Sequence, residues 1–351
     1  MVSPPQRTRV SAKEKHGLRV VAIGGGTGLS TLLAGLKKYA VAPGQIAAQS
    51  RDPVISRLCA VVTVTDDGGS SGRLRKELHM LPPGDIRNCI VALSEDEALL
   101  SKLFRHRFEK GSGLEGHSFG NLFLAALTSI TDDFSEAVRL SSEILATRGH
   151  IYPATSVNVE LEALMEDGTR VQGETKITAS KGRIKELFLV PPNAEPLPQT
   201  LEAIAHADLI TIGPGSLFTS LIPNLLVRGI PDAIAASAAV KVYICNLMTQ
   251  PNESLGRTAA DHIRALYAHA GTKIFDYALI NTMTVSESMK AKYALEGAAQ
   301  VVVDSEAIQR LGVKPMLGDY LGEGDVARHA TERIARDLLA LAQQRVPVGT
   351  V

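Results

Sequence analysis

Three apolar, strand-like segments of this chain run directly into turns rich in glycine and serine, and each turn precedes a helical pattern. The segments and their turns are Leu18–Ile23 with Gly24–Ser30, Cys59–Val64 with Thr65–Arg73, and Asp208–Ile212 with Gly213–Ser216. Such turns present unpaired backbone N–H groups and the positive end of a helix dipole, which together bind phosphates. At the ends of parallel strands they meet in one crevice where the strand order reverses. The sequence therefore predicts a phosphorylated ligand.

Charge and composition exclude several other classes of protein. The 351 residues carry 37 Lys+Arg and 37 Asp+Glu, so the formal net charge is zero and no basic field favours nucleic acid. No apolar run approaches the ~20 residues that span a bilayer, so no membrane insertion is expected. The three cysteines lie far apart without a C-x-x-C motif, which fits a reducing compartment. We expect a cytoplasmic protein.

Strand and helix patterns alternate along most of the chain, which predicts an α/β fold with a Rossmann-like, doubly wound and mainly parallel sheet. Residues 1–17 are polar and predict a disordered tail, and residues 18–345 predict a single domain. An antiparallel β insertion is expected around residues 155–190. Its predicted strands are Val157–Leu164, Thr175–Ile177 and Ile184–Val190. Residues 41–58 predict a polar connection, and Val326–Gln343 predicts the last long helix.

The first turn matches neither standard phosphate-binding motif. A dinucleotide fingerprint needs G-x-G-x-x-G, and a P-loop needs a lysine after its last glycine; neither spacing occurs here. Candidate ligand contacts are Gly24, Gly25, Gly26, Thr27 and Gly28. The alternative is a tight turn in which glycine supplies only the backbone geometry.

The second turn adds two carboxylates. Asp66 and Asp67 beside a phosphate-type turn indicate a candidate Mg²⁺ site, the one possible cofactor that the residues suggest. Candidate ligand contacts in this turn are Asp67, Gly68, Gly69, Ser70 and Arg73. The alternative is that the aspartates cap the following helix and the arginine is solvated.

Gly68–Gly72 also matches the G-x-S-x-G motif of hydrolases, with Ser70 as the nucleophile. His206, His262 or His329 would be its base. The two aspartates stand between the strand and the serine, where a nucleophile elbow turns directly off its strand, so this hypothesis is disfavoured. We expect no catalytic residue.

Polar residues at further turns complete the candidate set. They are Asp85, Arg87 and Asn88 at one helix start, His117 and Asn121 at another, Gly213, Gly215 and Ser216 in the third turn, and Asn246, Thr249 and Gln250 after a buried strand. The last three offer uncharged donors and acceptors suited to a sugar or a base. Ordinary capping and turn chemistry is the alternative at each position.

Taken in order, these motifs resemble the gluconeogenesis factor branch of the CofD-like family, within the 2-phospholactate transferase superfamily. The resemblance runs from about residue 18 to about residue 335. It implies a CofD-like fold and a cytoplasmic protein that binds UDP-sugars, notably UDP-N-acetylglucosamine, without established catalysis. It further implies a regulatory role in cell shape and envelope synthesis during gluconeogenic growth. Tyr293 and Arg328 match the segments thought to hold the uridine end and the diphosphate.

The same resemblance leaves an alternative, because the related CofD branch consists of Mg²⁺-dependent transferases that move 2-phospholactate onto the deazaflavin Fo. The expected protein partners of a regulator are enzymes of amino-sugar or peptidoglycan precursor synthesis. The Ala-rich segment Ala233–Val240 could form the interface of a homo-oligomer or pack on a neighbouring helix.

Overall fold

The computed structural model describes residues 17–41, 54–95, 99–180 and 182–345. The predicted tail at residues 1–17 lies, except for Gly17, outside the described residues. Two sheets occur in the described part of the chain, one of seven strands and one of three. The helices form layers around the larger sheet.

The central sheet has the strand order β10-β9-β8-β7-β1-β2-β3, and every neighbouring pair is parallel. Its strands are β1 (Leu18–Gly24), β2 (Ile55–Val62), β3 (His150–Pro153), β7 (Leu209–Ile212), β8 (Val240–Ile244), β9 (Tyr277–Asn281) and β10 (Lys314–Gly318). Strands β1 and β7 are almost wholly buried, as central strands covered on both faces must be. This confirms the predicted doubly wound fold.

The chain order reverses between β1 and β7, because β2 and β3 follow on one side of β1 and β7 to β10 follow on the other. Parallel strands on the two sides of such a point send their connections to opposite faces of the sheet. A crevice therefore opens at the carboxyl ends of β1 and β7, where two of the three predicted turns lie.

The helices that flank the central sheet begin and end as follows: α1 (Gly26–Lys37), α2 (Gly69–Leu78), α3 (Gly84–Leu93), α4 (Leu99–Arg105), α5 (Phe119–Thr131), α6 (Phe134–Ile144), α8 (Pro198–Ala205), α9 (Ile222–Leu225), α10 (Ile230–Ala236), α11 (Ala259–Ala270), α12 (Glu287–Ala294), α13 (Ser305–Arg310) and α14 (Thr331–Arg345). A π-helical turn, Leu217–Leu221, precedes α9. Helix α1 shows the predicted helical spacing, since Leu29, Leu32, Leu33 and Leu36 are all fully buried.

The predicted antiparallel insertion forms the second sheet, with β4 (Glu160–Met165) at its centre. The edges are β5 (Arg170–Gln172) and β6 (Ile184–Val190). The buried residues of β4 are Leu161, Ala163 and Met165, in the alternation of a strand with one covered face. Arg75 of α2 is buried and donates to the Val159 carbonyl at 2.6 Å, which ties the insertion to the central fold.

Several boundaries differ from the predictions. Residues 175–177 lie in a helix, α7 (Glu174–Ala179), because Asp67 accepts hydrogen bonds from the backbone N–H and hydroxyl of Thr175 and so caps its first turn. The predicted connection at 41–58 contains the start of β2 at Ile55, and the last helix begins at Thr331. Three short strands, β3, β5 and β10, and helices α12 and α13 were not predicted. Within the described residues, no helix is long and apolar enough to cross a membrane.

Candidate functional site

A cavity of about 450 Å³ opens at the carboxyl ends of the strands beside the switch point. It is lined by Gly25–Gly28, Gly215, Ser216, Ser220, Asn246–Pro251, Tyr293, Glu296, Ala327 and His329. Of the predicted ligand contacts, this cavity brings together those that follow: Gly25–Gly28 of the first turn, Gly215 and Ser216 of the third turn, Asn246, Thr249 and Gln250 after β8, and Tyr293. The predicted contacts Gly24 and Gly213 do not line it. Gly25 and Gly215, which are almost two hundred positions apart in sequence, thus line the same cavity.

The first turn leaves backbone donors at the start of α1. Gly26 has a φ of 61°, in the region that favours glycine, and Gly25 caps the helix without a side chain. The Gly26 N–H donates to Asp85 Oδ2 at 2.8 Å. The N–H groups of Thr27 and Gly28 have no acceptor among the described residues. Two free donors at a helix start are suited to an anion.

The first and third turns are in direct contact. A methyl group added to Gly28 would lie 2.3 Å from the Pro214 carbonyl oxygen. The Asn246 side chain holds the third turn from the other side, since its Nδ2 donates to the Gly215 carbonyl at 2.7 Å and its Oδ1 accepts from the Gly215 N–H at 3.2 Å. Asn246, predicted to contact a ligand, therefore also fixes the shape of the turn.

Glu253 is a buried carboxylate behind the third turn that sequence reasoning missed; it does not line the cavity but bonds Ser216, which does. It accepts hydrogen bonds from the hydroxyls of Ser216 and Thr219, and these hydroxyls also lie 2.8 Å apart. Burial raises the pKa of Glu253, against the opposing effect of these bonds. No motif marks this glutamate, because its role depends on the fold that places it against Ser216.

The opposite wall of the cavity is built by α12 and the segment before α14. The Tyr293 hydroxyl accepts from the Ala327 N–H at 3.2 Å. His329 Nε2 lies 3.0 Å from the Cys245 carbonyl oxygen, and burial lowers the pKa of this histidine to about 4, so the neutral ring donates there. Arg328 is exposed and does not line the cavity, although both of its neighbours in sequence do.

Gln250 carries an unpaired acceptor in this cavity. Its Oε1 is buried and has no hydrogen-bond partner within the described residues. Thr249, the adjacent lining residue, is occupied, since its N–H donates to the Ala299 carbonyl at 2.7 Å. An unpaired buried acceptor costs about 1–3 kcal/mol, and a ligand donor would recover that cost.

A second group of predicted residues lies beside this cavity, around the start of α2. Ser70 is buried, and its hydroxyl lies 2.9 Å from His117 Nδ1 and 3.0 Å from Asn121 Nδ2. Arg87 donates to the Ser118 hydroxyl at 2.6 Å and to the Asn88 side chain at 2.8 Å. Arg73 donates to the Glu115 carbonyl. These side chains join α2, α3 and α5 to one another. Neither they nor Gly68 and Gly69 line the cavity.

The hydrolase hypothesis required His206, His262 or His329 beside Ser70, and the structure contradicts that pairing. His206 bonds the Glu202 carbonyl, and His262 bonds the Tyr243 hydroxyl. The histidine on Ser70 is His117, and both residues are almost completely buried. The fold places the carboxyl ends of β7 and β8, rather than Ser70, at the open crevice.

Five acidic side chains act on one another near the two groups, and four of them, Asp66, Asp85, Asp67 and Glu253, act on Glu174. Burial raises the pKa of Asp85 to about 6 and that of Glu174 to about 8. Repulsion from Asp66 adds to both shifts, and Asp67 and Glu253 add to that of Glu174. The Gly26 N–H and the charge of Arg87 act in the opposite direction on Asp85. This side of the crevice therefore concentrates carboxyl groups, and their mutual repulsion favours the protonated form of Asp85 and Glu174.

One oxygen of each carboxylate in the Asp66–Asp67 pair is already hydrogen-bonded within the protein. Asp66 Oδ1 accepts from the Gly68 N–H at 2.9 Å, and Asp67 Oδ1 is engaged by Thr175. No three His, Cys, Asp or Glu side chains of the described residues are grouped as metal ligands. The alternative that these aspartates cap the following helix is wrong, because α2 has no side-chain cap and Asp67 bonds Thr175 of α7 instead.

The raised pKa of Glu174 predicts a pH-dependent stability. Its folded pKa of about 8 exceeds the ~4.3 of an unfolded glutamate, so the folded state binds this proton more tightly and loses stability as the pH rises between those values. We expect Glu174→Gln to raise the free energy of unfolding by about 2 kcal/mol at pH 8.5 and by only about a fifth as much at pH 5. Urea denaturation at the two pH values measures this.

Glu109→Gln, at an exposed loop position, is the matched control and should leave stability unchanged at both pH values. A gain at Glu174 that is the same at pH 5 and pH 8.5 would show that the charge of this carboxylate does not cause it.

Comparison with known proteins places these features in a family. The family described as 2-phospho-L-lactate transferase CofD matches residues 20–321. The chain belongs to the CofD family. A gluconeogenesis factor of Halalkalibacterium halodurans is 50% identical over 322 residues, covering 91% of this chain and 95% of that protein. The gluconeogenesis factor of Bacillus subtilis is 47% identical over 327 residues, covering 93% and 98%.

Solved structures agree with the fold of this CofD family member. A crystal structure of a UPF0052 family protein from Bacillus halodurans has a TM-score of 0.86 and 49% identity, covering 93% of this chain and 100% of that one. The identities to the two gluconeogenesis factors, together with the family match, confirm the expected resemblance to that branch.

Proposed function

We propose that this protein is a regulator that binds a UDP-sugar, most favourably UDP-N-acetylglucosamine, in the 450 Å³ cavity at the switch point. The observation that carries the proposal is the convergence of two glycine turns and a polar strand end on that cavity. The free N–H groups of Thr27 and Gly28 would bind the diphosphate. A cavity of this volume is within the range that small-molecule sites occupy.

The remaining walls suit the other two parts of such a ligand. Tyr293 offers an aromatic face for a base. Arg328 is exposed between the lining residues Ala327 and His329, and its long side chain would reach the diphosphate from there. Gln250 Oε1, buried and unpaired, would accept from an amide N–H or a hydroxyl of the sugar. A UDP-N-acetyl sugar supplies an aromatic base, a diphosphate and an amide donor in one molecule.

The biological role follows from the branch to which its relatives belong. We infer that the protein acts in the cytoplasm and signals the level of this sugar nucleotide to enzymes of amino-sugar or peptidoglycan precursor synthesis. It would then support cell morphogenesis and envelope synthesis during growth on gluconeogenic carbon sources. For the sugar nucleotide to be a signal, it must favour one conformation of the cavity loops.

Calorimetric titration with UDP-N-acetylglucosamine, followed by chromatography of the recovered ligand, tests the proposal. Saturable binding with intact ligand supports it. Arg328→Ala should weaken binding about tenfold, because one charge-assisted contact is lost, while thermal unfolding stays unchanged since the side chain is exposed. Arg310→Ala, also exposed but on α13, is the matched control. Absence of binding by the wild-type protein would contradict the proposal.

A transferase of the CofD type is the second candidate. The acidic group around Asp66 and Asp85 favours it, because it stands beside the glycine turn where a phosphorylated substrate would bind. This candidate requires turnover and a dependence on Mg²⁺. Titration with and without Mg²⁺ separates the two functions. Ligand that is cleaved or transferred only when the metal is present would mean that the protein is a transferase and not a regulator.

A further inference from the structure

Three sequence motifs with the form of ligand-binding turns lie outside the cavity and contact one another. They begin helices α2, α3 and α5. Asn121, in the first turn of α5, donates to the Ser70 hydroxyl of α2 at 3.0 Å. Arg87 of α3 donates to Ser118, the N-cap residue of α5. Each helix start carries a partial positive charge, so three of them in contact favour an anion at this place.

His117, directly before α5, is a buried side chain with one ring nitrogen left unpaired. Since the Ser70 hydroxyl accepts from Asn121 and is itself buried, its proton needs an acceptor, and His117 Nδ1 lies 2.9 Å away. The proton of the neutral imidazole is then on Nε2. This nitrogen has no hydrogen-bond partner among the described residues, and the residue is 3% exposed. The ring therefore offers one N–H donor to a ligand.

Arg73 and Arg107 flank the segment that leads into His117. Both are exposed, and both donate to backbone carbonyls of residues 115–116. Neither contact is with a carboxylate, so it leaves the charge of each guanidinium uncompensated. Burial and the charges of these two arginines lower the pKa of His117, against the opposing effect of Glu77. Two cations and a neutral N–H donor thus lie side by side.

Arg87 brings a third guanidinium to the same place. Its Nε is buried and has no hydrogen-bond partner within the described part of the chain. Burial and the charges of Arg107 and Arg105 lower the pKa of Arg87, whereas Asp85 and Asp66 act in the opposite direction. The arginines therefore repel one another, and an anion bound between them would relieve that repulsion.

The surface beside this group is open at Gly69. Gly69 precedes Arg73 by four residues on α2, so the two residues lie on one face of that helix. A methyl group at Gly69 would meet no atom within 4 Å, which leaves room for a ligand. The Gly69 N–H has no acceptor in the described ranges and is a further donor at this surface.

We propose that Arg73, Arg107 and His117 form a second binding site, which takes a phosphate group. The two guanidinium groups would bind its oxygens in the forked geometry that suits phosphate, and the His117 Nε2 proton would bind a third oxygen. None of these residues lines the cavity, so the site is separate from the proposed nucleotide-sugar site and does not depend on it. Inorganic phosphate and a small phosphomonoester share the chemistry that this site recognises.

Histidine ring resonances, followed by NMR, report where phosphate binds, because each place of interest contains a different histidine. We expect inorganic phosphate, titrated into the full chain at constant ionic strength, to shift the His117 ring along a saturable curve. His329 lines the cavity and reports binding there, and His206 is an exposed control. A shift of His329 without one of His117, or no saturable shift of either, overturns the proposal.

An arginine substitution tests whether the guanidinium groups bind the phosphate. Arg107→Gln should raise the Kd for phosphate about tenfold, because one charge-assisted contact is lost, and it should leave folding intact since the side chain is exposed. Arg228→Gln, at an exposed arginine outside this group, is the matched control and should keep the wild-type Kd. An Arg107→Gln protein with the wild-type Kd overturns the proposal.

Two further titrations identify the source of the phosphate group and separate the two sites. Tighter binding of glycerol 3-phosphate than of inorganic phosphate at His117 supports a phosphorylated metabolite as the ligand, and the reverse order supports free phosphate. With UDP-N-acetylglucosamine present, the Kd for phosphate at His117 should be unchanged. Displacement of phosphate by the sugar nucleotide would show one shared site and overturn the proposal, whereas a sugar nucleotide that does not bind contradicts the proposed function alone.

Discussion

Gly28→Ala should both destabilise the protein and abolish tight nucleotide-sugar binding. The added methyl would lie 2.3 Å from the Pro214 oxygen and 3.0 Å from the Gly215 Cα, so the first and third turns must move apart. Both contacts are backbone atoms, which cannot rotate away as a side chain would. Overpacking of this kind costs about 3 kcal/mol.

The same movement separates the two halves of the proposed diphosphate site, so we expect affinity for UDP-N-acetylglucosamine to fall more than about tenfold. Urea denaturation measures the first effect, and calorimetric titration measures the second. Since the two readouts are independent, a variant that remains folded at low temperature still reports on binding.

Gly24→Ala is the matched control in the same turn. A methyl at this position would approach its nearest neighbour, Leu221 Cδ2, at 3.4 Å, which is an ordinary contact with the end of a side chain. Gly24→Ala should therefore retain most of the stability and affinity. If Gly28→Ala behaves like Gly24→Ala in both measurements, the close approach of the two turns does not hold the site together.

The predictable part of the fold is the part that local sequence encodes. The apolar runs of β1, β2 and β7 and the glycine turns after them are continuous signals, because a buried parallel strand needs an uninterrupted apolar segment. The alternation of such strands with helices is sufficient to predict the doubly wound sheet. The pattern at residues 175–177 predicts a strand where the structure has helix α7, because the capping contact of this helix comes from Asp67, more than a hundred positions earlier.

The site was predictable only where glycine and the ends of strands mark it. Except for Gly24 and Gly213, the predicted residues of the first and third turns line the cavity, whereas most candidates of the second turn connect helices beside it. Glu253 and Glu174 were not predicted, because what distinguishes them from other glutamates is burial and the charges around them. These properties arise from contacts between distant segments, which no local pattern records.

Affinity for the sugar nucleotide should fall as the pH rises, and Asp85→Asn should remove much of that dependence. Asp85 accepts from the Gly26 N–H at 2.8 Å, and Gly26 lines the cavity, so a bound diphosphate would lie close to this carboxylate. Two like charges about 6 Å apart repel by about 3 kcal/mol at an effective dielectric constant of ~20. Ionised Asp85 therefore opposes binding, and its protonated form does not.

The sign and range of this effect follow from the pKa values. The pKa of Asp85 is raised to about 6 and that of Glu174 to about 8 in the free protein, and a bound diphosphate would raise both further. The complex then holds more protons than the free protein, so binding takes up protons and weakens as the pH rises from 6 to 8.5. We expect the Kd to increase about tenfold over this range.

Asp85→Asn keeps an oxygen that can accept from Gly26 while removing the charge. Its complex should be tighter than that of the wild-type protein at pH 8, with a shallower pH profile, and Glu174→Gln in the same chain should make the profile nearly flat. Calorimetry in two buffers of different ionisation enthalpy measures the proton uptake directly. Asp167→Asn, in the exposed hairpin of the insertion, is the control and should follow the wild-type profile. A wild-type Kd that is constant from pH 6 to 8.5 would place the diphosphate away from Asp85, and weaker binding by Asp85→Asn at every pH would mean that its charge organises the turn more than it repels the ligand.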